Sequence, residues 1–116
     1  MKMEIRRGEI LLVNFEPVKG SEQGRVRPAL VIQHEVLNKF SPLTIVLPIT
    51  SKIYTKEYPT NIFIRREDSG LNTDSTILSN QIRAIDKRRI IRRISSLDNE
   101  LMKKVDRAIK VSLGIE

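Results

Sequence analysis

The chain has no cysteine, no tryptophan and one histidine, His34. The absence of cysteine excludes disulfide bonds, thiolate chemistry and cysteine-ligated zinc. A zinc site needs a cluster of nitrogen, sulfur or oxygen ligands, and a single histidine does not supply one. We therefore predict no metal site and no cofactor, and expect His34 to form an ordinary hydrogen bond at a strand end. The glycine motifs of P-loop and dinucleotide-binding proteins are also absent.

Aromatic residues and long apolar runs are scarce. Three phenylalanines and two tyrosines are too few for a base-stacking platform of several rings. No apolar run approaches the ~18 residues of a membrane span. The apolar stretch Ile10–Val13 is too short for the core of a signal peptide. We expect a soluble, cytoplasmic protein with no membrane partner.

Positive charge is in excess. Lysine and arginine total 21 against 14 aspartates and glutamates, a formal net charge of +7 over 116 residues. This balance favours a polyanionic partner, although a basic surface without such a role remains open. The length predicts a single domain, residues 1–116, and is sufficient for a hydrophobic core.

Apolar periodicity predicts a mainly β protein with helices, of the α+β class. Seven short segments rich in Val, Ile and Leu read as strands: Glu9–Phe15, Pro28–Gln33, Leu43–Ile49, Asn61–Ile64, Ser75–Ser79, Gln81–Ile85 and Ile90–Ser96. Pro48 indicates a strand terminus or an edge strand. Short strands at regular spacing are typical of small barrels, so we expect a strongly curved antiparallel sheet of about five to seven strands.

Two helices are predicted. Glu35–Phe40 suits one short helical turn before Pro42. Apolar residues recur at helical spacing from Leu97 to Leu113, which predicts a long C-terminal helix packed on the sheet. Its first turn is capped by Ser96 or Asp98, and Gly114 ends it. Residues 51–60 read as a loop, and residues 65–74 as a cluster of turns.

Residues 20–28, with the sequence GSEQGRVRP, form the most informative segment. Two glycines bracket a polar trio, and two arginines and a proline follow. The residue before a proline is restricted to extended backbone, so Arg27 is presented from a defined position. Its planar fork suits two phosphate oxygens. A surface ion pair between Arg27 and Glu22 is an equally good interpretation of the pattern.

Two other segments are candidates for chemistry. Thr50 and Ser51 follow an apolar strand where the chain turns polar, a common functional position. A turn with local hydrogen bonds explains them as well. Residues 81–87, QIRAIDK, precede a dense basic run that is either a solvated face or a phosphate-binding surface. Arg83 and Asp86 could form a structural ion pair.

Taken together, these segments resemble the MazF/PemK family, the toxin halves of bacterial and archaeal toxin–antitoxin pairs. The matching motifs run in order along nearly the whole chain: RGE at 7–9, FEP at 15–17, GSEQG at 20–24, RP at 27–28, PIT at 48–50, PT at 59–60, GL at 70–71, DS at 74–75, QIRAIDK at 81–87, VD at 105–106 and SLG at 112–114. Each motif alone is weak, but the combination is specific. Arg25, His34, Glu35 and Asn80 depart from the common pattern, so base preference is expected to differ from that of better-known relatives.

The resemblance implies an SH3-like barrel with a short helix and a long C-terminal helix, working as a homodimer. It implies a metal-independent endoribonuclease that cuts single-stranded RNA at short sequences, with Arg27 and Thr50 as catalytic residues. Glu22 is the nearest carboxylate by sequence and the candidate base. The expected RNA-binding residues are Ser21, Gln23, Arg25, Ser51, Lys56, Gln81, Arg83 and Lys87. The partner antitoxin of such a protein carries an acidic, disordered segment that lies across the active groove.

Two other functions remain open from the sequence. One is a toxin on the same general fold that poisons gyrase by binding protein, without cutting RNA. The other is a non-catalytic nucleic-acid-binding module of SH3-like form. The RP and PIT motifs, which contain Arg27 and Thr50, argue against the gyrase-poisoning toxin. A non-catalytic binding module does not explain the PIT motif. Incubating the purified protein with RNA separates all three.

Overall fold

The computed structural model describes residues 4–15 and 26–116 of the chain. Within them the architecture is a β-sheet with three helices, which confirms the predicted α+β class. Seven strands are formed: β1 (Glu9–Asn14), β2 (Val26–Val31), β3 (Leu43–Thr50), β4 (Asn61–Ile64), β5 (Ser75–Leu78), β6 (Arg83–Asp86) and β7 (Ile90–Ser96). The helices are α1 (Glu35–Phe40), α2 (Arg66–Ser69) and α3 (Asn99–Leu113), and a 3₁₀ turn covers Lys87–Arg89.

The strands form one antiparallel sheet in the order β4-β5-β3-β2-β1-β7. β6 joins the same edge of β3 as β5, but further towards the start of β3. Among the described residues no pairing joins β4 to β7, so the expected barrel is not closed. Curvature is introduced by register shifts in the β1–β7 ladder, on either side of Leu11 and Leu12.

Pro48 lies where β3 changes partners. β6 pairs with Leu43–Val46, and β5 pairs with Ile49 and Thr50, so the gap between the two ladders falls at Leu47 and Pro48. Proline has no backbone N–H to donate to a neighbouring strand, so it is tolerated where the pairing is interrupted. The prediction of a nearby strand end is confirmed, whereas the alternative of an edge strand is wrong, because β3 has neighbours on both sides.

Each face of the sheet carries its own hydrophobic cluster, because successive side chains of a strand point to opposite faces. Ile10 and Leu30 belong to the cluster beneath α3, together with Val105 of that helix. Leu11 and Val31 belong to the cluster on the opposite face. We call these the helix face and the open face. Alternation within β1 and β2 therefore fixes which residues are buried under α3 and which face away.

The C-terminal helix begins and ends as its sequence predicts. The side chain of Asp98 accepts a hydrogen bond from the Leu101 N–H at 2.8 Å, which makes Asp98 the cap rather than Ser96. Gly114 ends α3 with φ of 72°, a backbone conformation that favours glycine. Among the described residues, no helix is both long enough and apolar enough to cross a membrane.

Besides β2, which lies two residues earlier at each end than the predicted Pro28–Gln33, two segments differ from their sequence-based predictions. The turn cluster of residues 65–74 contains the short helix α2, which ends at Gly70 with φ of 74°. The strand expected from Gln81 begins only at Arg83, because the Gln81 N–H closes a turn onto the Leu78 carbonyl at 3.2 Å. Both differences arise from hydrogen bonds that local periodicity does not reveal.

Candidate functional site

Arg27 and Thr50 lie on the same face of the sheet, near the same end of neighbouring strands. β2 and β3 run antiparallel with Ala29 opposite Pro48. Arg27 comes two residues before Ala29, and Thr50 two residues after Pro48. Side chains two residues apart in a strand point to the same face. The β2–β3 pairing ends at Ala29 and Pro48. If the same register is extended by two residues, Arg27 lies opposite Thr50.

Arg27 is exposed at the end of the open face. It pairs in register with Val13 of β1, which is fully buried. β2 pairs with β3 only from Ala29 onwards. Pro28 therefore lies where the β3 side of the strand has no paired neighbour in the described part of the chain, a position that tolerates proline. No carboxylate among residues 4–15 and 26–116 forms an ion pair with Arg27. Within this part of the chain the guanidinium is therefore available to an anion.

Thr50 ends β3 and is half-buried. Its Oγ1 accepts a hydrogen bond from the Lys52 N–H at 3.2 Å, the local turn that the sequence also predicts. Its register partner Thr76 donates a hydrogen bond from Oγ1 to the Lys52 carbonyl at 2.8 Å. These two bonds fix the chain as it leaves the strand. The Thr50 hydroxyl proton has no acceptor among the described residues, so it can be donated to a ligand oxygen.

Arg83 stands on the same face as Thr50. It pairs in register with Val46, which shares the open face with Thr50 by alternation along β3. The Arg83 guanidinium carbon lies 4.9 Å from the centre of the Phe15 ring, a cation–π contact. Phe15 directly follows β1 and Arg83 belongs to β6, and these two strands are not neighbours in the sheet. The contact therefore shows that the sheet is strongly curved.

The suggested ion pair between Arg83 and Asp86 is wrong. Asp86 instead binds Arg88, with 3.0 Å between Arg88 Nη2 and Asp86 Oδ2. Hydrogen bonds from the side chain and the N–H of Arg88 lower the pKa of the Asp86 carboxyl. The same pairing raises the pKa of Arg88. This exposed pair caps the 3₁₀ turn, which begins after Asp86.

Lys87 is tied into the fold. Its Nζ donates a hydrogen bond to the Asn38 carbonyl, and its N–H donates to the Pro42 carbonyl at 3.0 Å. The side chain of Asn38 is 3% exposed and accepts hydrogen bonds from Gln33 Nε2 at 3.1 Å and from Thr44 Oγ1 at 2.7 Å. Lys87 thus secures the short helix α1 to the sheet, and binding a phosphate would compete with this bond.

The remaining predicted residues are dispersed. Gln81 is exposed in the turn before β6, and Ser51 and Lys56 are exposed in the loop of residues 51–60. Ser21, Glu22, Gln23 and Arg25 lie outside the described residues, as does the suggested ion pair of Arg27 with Glu22. Arg27, Thr50 and Arg83 are therefore the predicted residues that the described structure places on one face.

His34 forms the ordinary hydrogen bond that the sequence predicts. Its Nδ1 accepts from the Val36 N–H at 3.1 Å and caps α1. Within the part of the chain that the structure describes, no group of three or more His, Cys, Asp or Glu residues could hold a metal ion.

Sequence reasoning missed two contributors to this face. Phe15 lies in the FEP motif, and nothing local in the sequence links it to Arg83. Thr76 lies in a short buried strand, and only the β3–β5 register places it opposite Thr50. Neither contact has a signal in the spacing of residues along the chain.

Comparisons with known proteins show the family to which the chain belongs. A model of the PemK-like, MazF-like toxins of type II toxin–antitoxin systems matches residues 6–113. Endoribonuclease EndoA of Bacillus subtilis (strain 168) is 46% identical over 113 residues, covering 97% of each chain.

Solved structures share the fold. The MazE–MazF structure (Form-II) from Deinococcus radiodurans gives a TM-score of 0.81 at 26% identity, covering 99% of this chain and 100% of that one. The Mycobacterium tuberculosis toxin MazF-mt6 gives 0.78 at 19% identity, covering 93% and 98%. By its match to the family model over almost its whole length, this chain belongs to the PemK-like, MazF-like family of type II toxin–antitoxin toxins.

Proposed function

We propose that this chain is a metal-independent, sequence-specific endoribonuclease that cuts single-stranded RNA. Its expected cellular substrate is mRNA in the cytoplasm, so that cleavage inhibits translation. The observation that carries the proposal is the placement of Arg27 and Thr50 on one face at the same end of adjacent strands. The 46% identity to a protein named Endoribonuclease EndoA supports it.

The RNA supplies the nucleophile, its own 2′-hydroxyl beside the scissile phosphate. The 2′-oxygen forms a bond to phosphorus while the bond from phosphorus to the 5′-oxygen of the next nucleotide breaks. One proton leaves the 2′-hydroxyl and one is delivered to the 5′-oxygen. The products are a 2′,3′-cyclic phosphate and a 5′-hydroxyl, and atoms and charge balance without a further reagent.

Arg27 suits the negative charge that develops on the phosphate. A fixed cation aimed at developing charge is often the largest catalytic contribution, and losing one such donor costs on the order of 10²–10³ in rate. The fork of the guanidinium matches two phosphate oxygens. Arginine side chains are too basic to accept the 2′-hydroxyl proton, so Arg27 is assigned charge stabilisation alone.

Thr50 suits positioning of the reacting group. Thr50 ends β3, and Thr76 holds the next residues through its hydrogen bond to the Lys52 carbonyl. The Lys52 N–H in turn donates to the Thr50 hydroxyl, which fixes the position of that hydroxyl. A donated hydrogen bond to a phosphate oxygen, or contact with the 2′-hydroxyl, holds the substrate in line for attack. Glu22 remains our candidate for the proton acceptor.

We propose two protein partners. The first is a cognate antitoxin with an acidic, disordered segment, whose charge complements the +7 of this chain. The structural relatives include an endoribonuclease in complex with its cognate antitoxin from a mycobacterial species, with a TM-score of 0.78. The second is another copy of the chain, each copy acting as one domain. Light scattering on the purified protein measures whether it is a dimer.

Mapping the ends of RNA cut by the purified protein tests the proposal. We expect cuts in single-stranded regions at one short sequence, with 2′,3′-cyclic phosphate and 5′-hydroxyl ends. Intact RNA after incubation would contradict the nuclease and favour the gyrase-poisoning or non-catalytic alternative. Cuts that leave 5′-phosphates would contradict the chemistry but not the nuclease.

A further inference from the structure

A groove of about 640 Å³ runs between the loop of residues 51–60, strand β4 and helix α3. We call it the α3 groove. Arg27 does not line it, and of the predicted RNA-binding residues that the structure describes, Lys56 is the one that does. Its walls combine cationic and apolar side chains.

The cationic side chains are Lys56 of the loop and Lys104 and Arg107 of α3. All three are exposed, and within residues 4–15 and 26–116 none of them forms an ion pair with a carboxylate. Glu57 adds one negative charge to the lining, which leaves the groove net positive. Its charge therefore complements an anionic ligand.

The apolar side chains include exposed rings. Tyr58 is 46% exposed and Phe63 is 52% exposed, while Val111 of α3 is 54% exposed. Tyr58 also makes an edge-to-face contact with Tyr54, with 6.2 Å between ring centres. Proteins that bind single-stranded nucleic acids combine exposed rings with unpaired cations. The bases stack on the rings, and the phosphates bind the cations.

The groove is continuous with the candidate active site. Thr76 lines the groove and pairs in register with Thr50 on one side and with Phe63 on the other. Residues paired in register share a face, so Thr50, Thr76 and Phe63 follow one another across three adjacent strands. Thr76 itself is 3% exposed and is bonded to the Lys52 carbonyl, so a strand of RNA with its scissile phosphate at Thr50 would reach the groove over the chain at Lys52.

We propose that the α3 groove binds the nucleotides of single-stranded RNA that flank the cut site. Lys104 and Arg107 meet their phosphates, and Phe63 meets a base. The proposal rests on the proposed function, since it takes the same RNA as ligand. An acidic peptide would satisfy the charges, but the continuity with Thr50 favours the substrate.

The test of this proposal is the affinity of the protein for RNA, measured with RNAs that cannot be cleaved. Two RNAs contain the mapped cut site with a 2′-deoxy nucleotide in place of the attacking hydroxyl, so that neither is cut. One extends well beyond the site on both sides, and the other is trimmed to the nucleotides next to it. The parent protein is expected to bind the longer RNA more tightly.

The double variant Lys104→Ala/Arg107→Ala is expected to lose this preference for the longer RNA. Removing two phosphate contacts also reduces the slope of log affinity against log salt by about 1.4. Lys103→Ala/Lys110→Ala removes the same charge from α3 outside the groove, and is expected to keep the preference. Phe63→Ala is expected to weaken binding of the longer RNA by about tenfold with the salt slope unchanged.

The outcomes separate this proposal from the proposed function. If the double variant binds both RNAs as the parent does, the α3 groove is not an RNA site, whatever the cleavage result. If its affinity falls only for a polyglutamate peptide, the groove belongs to an acidic protein segment and the proposal fails. A parent protein that cuts no RNA overturns the proposed function. A long and a short single-stranded RNA of arbitrary sequence then replace the two site-containing RNAs, and the double variant still decides whether the α3 groove binds RNA.

Discussion

The guanidinium of Arg83 stacks on the ring of Phe15, with 4.9 Å from its carbon to the ring centre. The two residues belong to opposite parts of the chain, and their contact draws β6 towards the end of β1. Phe15 is 7% exposed, so it forms a buried support for an exposed cation. The stack sets the direction of Arg83 on the face that carries Arg27 and Thr50.

Removing the ring should weaken RNA binding through Arg83. Phe15→Leu keeps an apolar side chain in the core but removes the cation–π contact, worth about 0.5–1 kcal/mol at such a site. We expect a raised KM with little change in kcat, in the same direction as Arg83→Gln but smaller. Steady-state kinetics on a defined RNA measure both. Additive effects in the double variant would show that Phe15 does not act through Arg83.

Replacing Arg27 should abolish cleavage without unfolding the protein. Arg27→Ala removes the charge-stabilising donor, a loss on the order of 10²–10³ in rate or more, while its exposure predicts a stability change within about 0.5 kcal/mol. Arg92→Ala is the matched control, because Arg92 is an exposed strand arginine opposite Leu12, on the other face from Arg27. Equal cutting by Arg27→Ala and the parent protein would remove Arg27 from the mechanism.

The hydroxyl of Thr50 should matter more than its shape. Thr50→Val preserves the branched side chain but has no proton to donate, and we expect a fall in kcat of roughly 10²-fold. Thr50→Ser keeps the hydroxyl and should retain most of the activity. Single-turnover cleavage compares the two variants. A fully active Thr50→Val would limit Thr50 to its structural bond with Lys52.

Chelation should not change the rate of cleavage. The proposed step uses the 2′-hydroxyl of the RNA and the charge of Arg27, so we expect equal rates in EDTA and in added magnesium. The measurement is a time course on an unstructured RNA, because magnesium also folds RNA. A strong dependence on a divalent metal would contradict the proposed mechanism.

The buried amide of Asn38 should stabilise the fold rather than the chemistry. Asn38→Ala leaves the Thr44 hydroxyl and the Gln33 backbone carbonyl without their buried partner, which costs about 1–3 kcal/mol for each group left unsatisfied. The Gln33 side chain keeps its hydrogen bond to the Leu43 carbonyl. Asn72→Ala, at an exposed turn, is the control and should change stability by less than about 0.5 kcal/mol. Urea denaturation measures both. An unchanged midpoint for Asn38→Ala would show that water replaces the lost bonds.

Most secondary structure was predictable because its signals are local. Helix α3 has apolar residues at helical spacing, a capping aspartate and a terminal glycine, and all three features act within one turn of chain. Strands β1, β3 and β7 were predicted to within a residue or so. The start of β6 was not, because the Gln81 N–H closes a turn onto the Leu78 carbonyl, and the spacing of apolar residues does not show this hydrogen bond.

The candidate site was predictable only in its residue types and motifs. The sequence alone determined that Arg27 precedes a proline, that Thr50 ends an apolar strand, and that no cysteine or second histidine offers other chemistry. The tertiary structure decided which of these side chains meet. Strand register brings Arg27 to the face of Thr50, and the curvature of the sheet brings Arg83 into contact with Phe15. The packing of α3 places Lys104 and Arg107 in the lining of the groove that also contains Phe63. These contacts join residues far apart in the chain, and their free energy depends on the whole sheet, which is why no local pattern encodes them.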